Sequence, residues 1–213
     1  MPSSPGPAPG TSGFARAERP VRRLPRRFLA VDSRELAPLL LNKVLVHGER
    51  AGRIVEVEAY AGAADPASHA FRGRTPRNAT IFGPPGHLYV YFTYGMHFCA
   101  NVVCGAEGEA SAVLVRGLTP LTGLDAIREA RGPAARADRD LCNGPGKLCQ
   151  ALALDRSFDG ADLVTGDRGV ELVDDGTAPP VVPGVSGRIG ISVATEMPWR
   201  FYVPGAVGVT RAR

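Results

Sequence analysis

Residues 53–60 read RIVEVEAY. The alternation is that of a strand, with Val55, Val57 and Ala59 on one face and Ile54, Glu56, Glu58 and Tyr60 on the other. Two carboxylates and a phenol therefore share a face. On an ordinary half-buried strand they form a solvated ladder. Over a cavity they supply a general base with a hydroxyl beside it. Few other reactive groups compete. The histidines are His47, His69, His87 and His97, and no pair has ligand spacing together with a carboxylate. No G-x-S-x-G motif is present. The lysines are Lys43 and Lys147, neither in an evidently apolar setting for covalent chemistry. Carboxylate chemistry is what is left, with no metal and no cofactor.

Three further segments carry polar or aromatic residues in unusual places. LYVYFTYGMHFCANVV (88–103) is a hairpin whose tip holds Tyr94 and Met96 around Gly95. Tips normally carry small polar residues. A large apolar tip either folds back into the core or is kept out for a partner, as wedges inserted between DNA base steps are. FRGRTPRN (71–78) places Arg72, Arg74 and Arg77 in one Gly/Pro loop without a neighbouring acid, either a solvated loop or a phosphate-gripping one. CNGPGKLCQAL (142–152) resembles a phosphate loop but fails the Walker pattern, with Leu141 at the first glycine position and Leu148 after Lys147. It reads as a Gly-rich turn opening a helix, either an ordinary Pro-started helix or one that holds a single phosphate on free amides and Lys147.

These groups need a scaffold, and the rest of the chain supplies one. The 213 residues are 44% hydrophobic, which suits one domain with a full core. No apolar run approaches the about 18 residues of a membrane span, and no signal-peptide core appears near the start. Cys99, Cys104, Cys142 and Cys149 have no C-x-x-C spacing and read as reduced, mostly buried thiols of an intracellular protein. Of 25 Lys+Arg and 21 Asp+Glu, residues 1–27 hold six arginines and one acid, leaving 19 and 20 in the remainder. The positive charge thus belongs to a Pro/Gly/Arg-rich segment, 1–27, expected to be disordered and open to polyanions. It also resembles a transit peptide, although its prolines oppose an amphipathic helix.

Asp32 or Ser33 can cap a short helix to Leu41. Strands are expected at 43–47 and 52–60, joined at Gly48, at 88–103 as two strands around Tyr94-Gly95, and at 111–118. Helices are expected at Asp65-Pro66, at 121–131 and at 145–152. Residues 187–203 read as two short strands separated by Pro198. Strands and helices mix without a βαβ repeat, which argues an α+β fold.

Taken together and in order, GRIVEVEAY, His69, TPRN, GHLYVYFTYGMHFCANVV, VLVRGL, NGPGKLCQAL and RIGI…WRFYV resemble the alkyladenine (3-methyladenine) DNA glycosylases of bacterial type. The resemblance runs from about Leu39 to Val203 and leaves the N-terminal segment outside. It implies a single domain over 28–213, with a curved, mainly antiparallel sheet, flanking helices and a protruding β-hairpin. Glu58 matches the general base that activates water against C1′, and Arg116 the arginine that helps hold that water, with the Ile191 carbonyl completing its cage. Tyr60, His69 and Tyr91 match the residues that sandwich a flipped base. Asn101 matches the side chain that disfavours guanine, and Tyr94 the wedge that fills the gap. Thr75, Arg131 and Lys147 match DNA contacts, and Arg77 and Met96 lie beside them. Glu56 sits in the motif without assigned chemistry and is expected to pair with an arginine. The sequence departs from the family pattern at His97, where an aromatic is common, and in shorter segments after His69 and after Arg131.

The implied activity is that of a monofunctional glycosylase that flips alkylated adenine or guanine, hypoxanthine or ethenoadenine from duplex DNA and hydrolyses the N-glycosidic bond. It implies an enzyme of base excision repair, cytoplasmic and nucleoid-associated, monomeric, acting on double-stranded DNA with damaged purines and not on membranes. Two rivals fit parts of the pattern. A non-catalytic damaged-base sensor has no need of Glu58. An RNA-binding module needs Tyr89, Tyr91 and Phe98 on an open sheet face.

Overall fold

Periodic apolar residues broken by glycine and proline divide the chain into short strands and helices. The computed structural model describes residues 21–93 and 95–210. In chain order these form β1 (Arg22–Arg23), α1 (Arg26–Leu29), α2 (Ser33–Leu40), β2 (Val44–His47), β3 (Arg50–Ala61), β4 (Leu88–Thr93), β5 (His97–Cys104), β6 (Ser111–Thr122), α3 (Leu124–Arg131), α4 (Pro145–Ala151), β7 (Val170–Asp174), β8 (Gly184–Ser186) and β9 (Arg200–Tyr202). The sheet runs β1-β7-β2-β3-β6-β5-β4, with β9 paired to β3 and β8 paired to β9. Every pairing is antiparallel. The sheet curls into a half-barrel with a few helices, the expected α+β class. No described helix is long and apolar enough to cross a membrane.

β3 is the spine. One edge pairs with β6 over nearly its whole length; the other pairs with β2 near its start and with β9 at Glu56–Glu58. Leu36 and Leu40 of α2, Ile127 of α3 and Leu148 of α4 close the core over Val57, Ala59, Val113 and Val115. α2 begins as expected: the Asp32 carboxylate accepts the Arg34 amide at 2.8 Å. All four cysteines are buried free thiols.

Several expectations are corrected. Ile54 does not share the glutamate face but packs in the core with Val57 and Ala59. The register to β6 shifts on both sides of Glu56, and this bulge turns the strand over by one residue. Residues 21–27 are ordered, against the expectation of disorder to 27. Leu24 is buried, Arg22 and Arg23 pair with β7, and Arg26 binds Asp162 at 2.6 Å. Residues 1–20 of that segment, and Tyr94, lie outside the described residues. Asp65-Pro66 opens a turn and not a helix, because the Asp65 carboxylate accepts the Ala67 amide at 3.0 Å and then ion-pairs elsewhere. Residues 121 and 122 extend β6, so the helix expected over 121–131 starts at Leu124. In 187–203 the only strand is Arg200–Tyr202, whose partner Gly184–Ser186 precedes the segment. β7 was not foreseen.

Candidate active site

Because β6 and β9 flank β3 at Glu56–Glu58, both carboxylates are fully buried and neither forms a solvated ladder. A buried carboxylate must be hydrogen-bonded or paired. Glu58 Oε1 accepts the Ile189 amide at 2.7 Å and faces Arg116 Nη1 at 3.3 Å, while Oε2 accepts the Tyr60 hydroxyl at 3.0 Å. Burial raises the Glu58 pKa above the ordinary value; Arg116, the Ile189 amide and the Tyr60 hydroxyl pull it back down. Glu56 pairs with two arginines, as expected for one and exceeded by the other. Its Oε1 accepts Arg116 Nε at 3.1 Å and Arg200 Nε at 2.7 Å.

Beside these groups opens a cavity of about 560 Å³ whose lining includes Tyr60, Arg116 and Ile189, the three residues that hold Glu58; Glu58 itself is fully buried and is not part of the lining. The five expected base-pocket residues, Tyr60, His69, Tyr91, Asn101 and Ile191, all line it; of the two expected catalytic residues Arg116 does and Glu58 does not. The His69 ring meets Tyr91 edge-on with centroids 4.5 Å apart, and Tyr89 stacks behind Tyr91 at 5.4 Å. Asn101 is fixed by donating to the Tyr89 carbonyl at 3.2 Å. Burial raises the phenol pKa of Tyr60 and Tyr91, and takes that of Tyr89 to about 12, so all three stay neutral. Burial, and then Arg77, lowers the His69 pKa, favouring an uncharged imidazole. Among the described residues no group of three His, Cys, Asp or Glu could hold a metal ion.

Two contributors escaped sequence reasoning. Ile189, not Ile191, makes the backbone contacts to the charged pair: its amide reaches Glu58 and its carbonyl accepts Arg116 Nη1 at 3.5 Å. Arg188 packs over the Tyr60 ring at 4.7 Å and the Trp199 ring at 5.0 Å. Its guanidinium donates twice to Asp65, at 2.5 and 2.8 Å, and to the Ala59 carbonyl at 3.0 Å. Both side chains of that ion pair are fully buried. A lone arginine in RIGI carries no local signal of such a partner.

The hairpin of β4 and β5 stands beside the cavity with Met96 69% exposed. Thr75 and Arg77 are exposed on the neighbouring loop, and Arg77 donates to the Phe92 carbonyl at 3.1 Å. Lys147 donates to Asn143 at 2.7 Å near the start of α4. There Gly146 lies so close to His97 that a Cβ would approach the imidazole to 2.8 Å. Arg131 does not join this face. It is buried, donating to the Leu141 carbonyl at 3.0 Å and to Gln150, and it ties α3 to α4. Tyr89 is equally buried and Tyr91 faces the cavity, so the open stacking platform of an RNA-binding module is not formed.

A carboxylate behind an aromatic cavity, with an arginine and an amide on one oxygen, can deprotonate a water and stabilise positive charge in front of it. A family model described as Methylpurine-DNA glycosylase (MPG) matches residues 27–207. A curated relative from Burkholderia lata, named "Putative 3-methyladenine DNA glycosylase", is 58% identical over 183 residues, 85% of this chain and 88% of its own. Relatives of the same name come from Chlorobaculum parvum, 45% identical over 198 residues (91% of this chain, 93% of its own), and from Frankia casuarinae, 47% over 188 residues (84% and 87%).

Proposed function

The chain belongs to the methylpurine-DNA glycosylase family and is a DNA N-glycosylase, and from that premise we propose that it flips damaged purines out of duplex DNA into the cavity lined by Tyr60, His69 and Tyr91. Its substrates in this reading are alkylated adenine and guanine, hypoxanthine and ethenoadenine. Its product is an abasic site, the first intermediate of base excision repair.

The observation that carries the reading is the buried Glu58 carboxylate held by Tyr60, Ile189 and Arg116, all three of which line that cavity. A carboxylate accepts at about four lone-pair sites. Two hydrogen bonds and one ion pair leave a site for water. Glu58 takes a proton from that water, whose oxygen bonds C1′ as the C1′–N bond breaks and its electron pair departs with the base. Arg116 and the Ile191 carbonyl hold the water. The sugar passes through a cation-like state, which the carboxylate stabilises. Flipping costs a few kcal/mol and less for a mispaired base, while stacking on Tyr60, His69 and Tyr91 returns roughly 1–3 kcal/mol per aromatic contact. A neutral His69 and neutral phenols suit this stack and favour electron-poor purines. Asn101 rejects guanine through its exocyclic amine. Tyr94 fills the gap in the duplex, and Thr75, Arg77, Met96 and Lys147 face the DNA. Among the described residues the cavity lining contains no lysine, which supports a monofunctional reading without a Schiff base.

Duplexes with one hypoxanthine or one ethenoadenine test this. Free base and an intact strand that breaks only under alkali are expected. Strand cleavage without alkali contradicts the monofunctional reading, and release of methylpurines alone contradicts the wider substrate range.

A further inference from the structure

The last described residues, 204–210, contribute no side chain to the hydrophobic core clusters, which end at Val203. They are nevertheless fixed by specific contacts, all grouped behind Arg116. The Thr210 amide donates to Glu56 Oε2 at 2.6 Å, and the Thr210 carbonyl accepts Arg200 Nη2 at 2.8 Å. The Thr119 hydroxyl donates to the Val207 carbonyl. Two glycines make this approach possible. A Cβ on Gly117 would run into the Gly208 carbonyl, and Gly208, at φ +102°, lies against the Leu118 carbonyl. The segment adds no apolar side chain to the core, and its contacts are with the buried Glu56 and Arg200 and with Thr119.

The contacts lead to the charged pair. Glu56 Oε1 accepts Arg116 Nε, and Arg116 Nη1 faces Glu58. A guanidinium is a rigid planar fork, so fixing its Nε fixes the direction of its Nη1. We propose that residues 204–210 form a positioning strap, which through Glu56 holds Arg116 in the orientation that meets Glu58. Glu56 and the strap are positioning elements and touch no substrate. The inference rests on the proposed roles of Glu58 and Arg116 and adds a dependence of that site on the C-terminal segment.

The test uses the full chain and duplex DNA treated with dimethyl sulfate, with methylpurine release measured under enzyme excess. Glu56→Gln, Gly208→Ala and Glu58→Gln are compared with the wild type, and their melting temperatures are recorded. Glu56→Gln is expected to lower the saturating rate about 100-fold, the cost of a misplacement of about 1 Å, and Gly208→Ala roughly tenfold. The half-saturating concentration is expected to stay unchanged. Glu58 is faced by Glu56, Tyr60, Arg116 and the Cys99 thiol, with Arg188 behind Tyr60. Gly208→Ala alters none of these charges and only loosens Arg116, so the acid limb of the rate should move to higher pH. A purely structural role would lower the melting temperature without moving that limb. Should Gly208→Ala fail to fold, Glu56→Gln carries the test of the rate. An inactive Glu58→Gln beside both variants at the wild-type rate overturns the strap and leaves the reading of Glu58 standing. A Glu58→Gln at the wild-type rate overturns both. Losses confined to the half-saturating concentration or the melting temperature overturn the strap.

Discussion

The Ile189 amide donates to Glu58 Oε1 across 2.7 Å, although the two residues stand 131 positions apart in the chain. The contact ties the loop after Gly187, which lines the cavity from Ile189 to Val193, to β3, which lines it through Tyr60. In the proposed mechanism this buried carboxylate, which accepts an amide, faces an arginine and keeps a lone pair, serves as the base.

Tyr60 has two proposed duties, stacking and holding Glu58, that one substitution separates. Tyr60→Phe keeps the stacking ring and removes the hydroxyl donated to Glu58 Oε2. That hydrogen bond favours the charged carboxylate and lowers its pKa, so its loss raises it further. In the proposed mechanism base release requires ionised Glu58. The rate is therefore expected to fall with decreasing pH from a limb already above the ordinary carboxylate value, and in Tyr60→Phe from a still higher one. Single-turnover rates across pH check this; a limb that stays put or moves down contradicts it.

The Asp65–Arg188 pair is buried on both sides. Asp65→Asn leaves an uncompensated guanidinium and is expected to destabilise the fold by about 3–5 kcal/mol. Asp65→Asn combined with Arg188→Met should cost less than the two single changes together, because the second removes the orphaned charge. Urea unfolding of the four proteins measures both effects. Additive losses would deny the coupling.

Arg77 and Arg131 were singled out together in the sequence, and the structure separates them. Arg77 is exposed beside the hairpin, whereas Arg131 is buried against Leu141 and Gln150. Arg77→Ala is expected to weaken DNA binding across sequences and to reduce the slope of log affinity against log salt by about 1. Arg131→Met should lower stability and leave the slope unchanged. Binding titrations at several salt concentrations distinguish them, and equal slopes for Arg77→Ala and the wild type contradict the assignment.

How much was legible follows from the range of the interactions. The glutamate face of β3 could be read because alternation is local and Glu58 and Tyr60 repeat at the strand period. Ile54 was put on the wrong face because the bulge beside Glu56 arises from pairing to β6, and no local residue marks it. Arg188 was overlooked because its partners, Asp65 and the Tyr60 ring, lie more than a hundred residues away. Arg131 was matched to a DNA contact through the resemblance alone, and nothing in its own helix reveals that Leu141 and Gln150 close over it. Residues 21–27 looked disordered by composition, but Leu24 and β7 order them through contacts absent from the segment itself.

The central claim is that Glu58 activates the water that displaces the base. Single-turnover release of hypoxanthine from a defined duplex, compared between the wild type and Glu58→Gln with duplex affinity measured in parallel, tests it most directly. The account predicts a loss of about 100-fold or more in rate, in line with the usual contribution of a general base, with affinity for the damaged duplex retained. A Glu58→Gln protein that releases the base at the wild-type rate would contradict it.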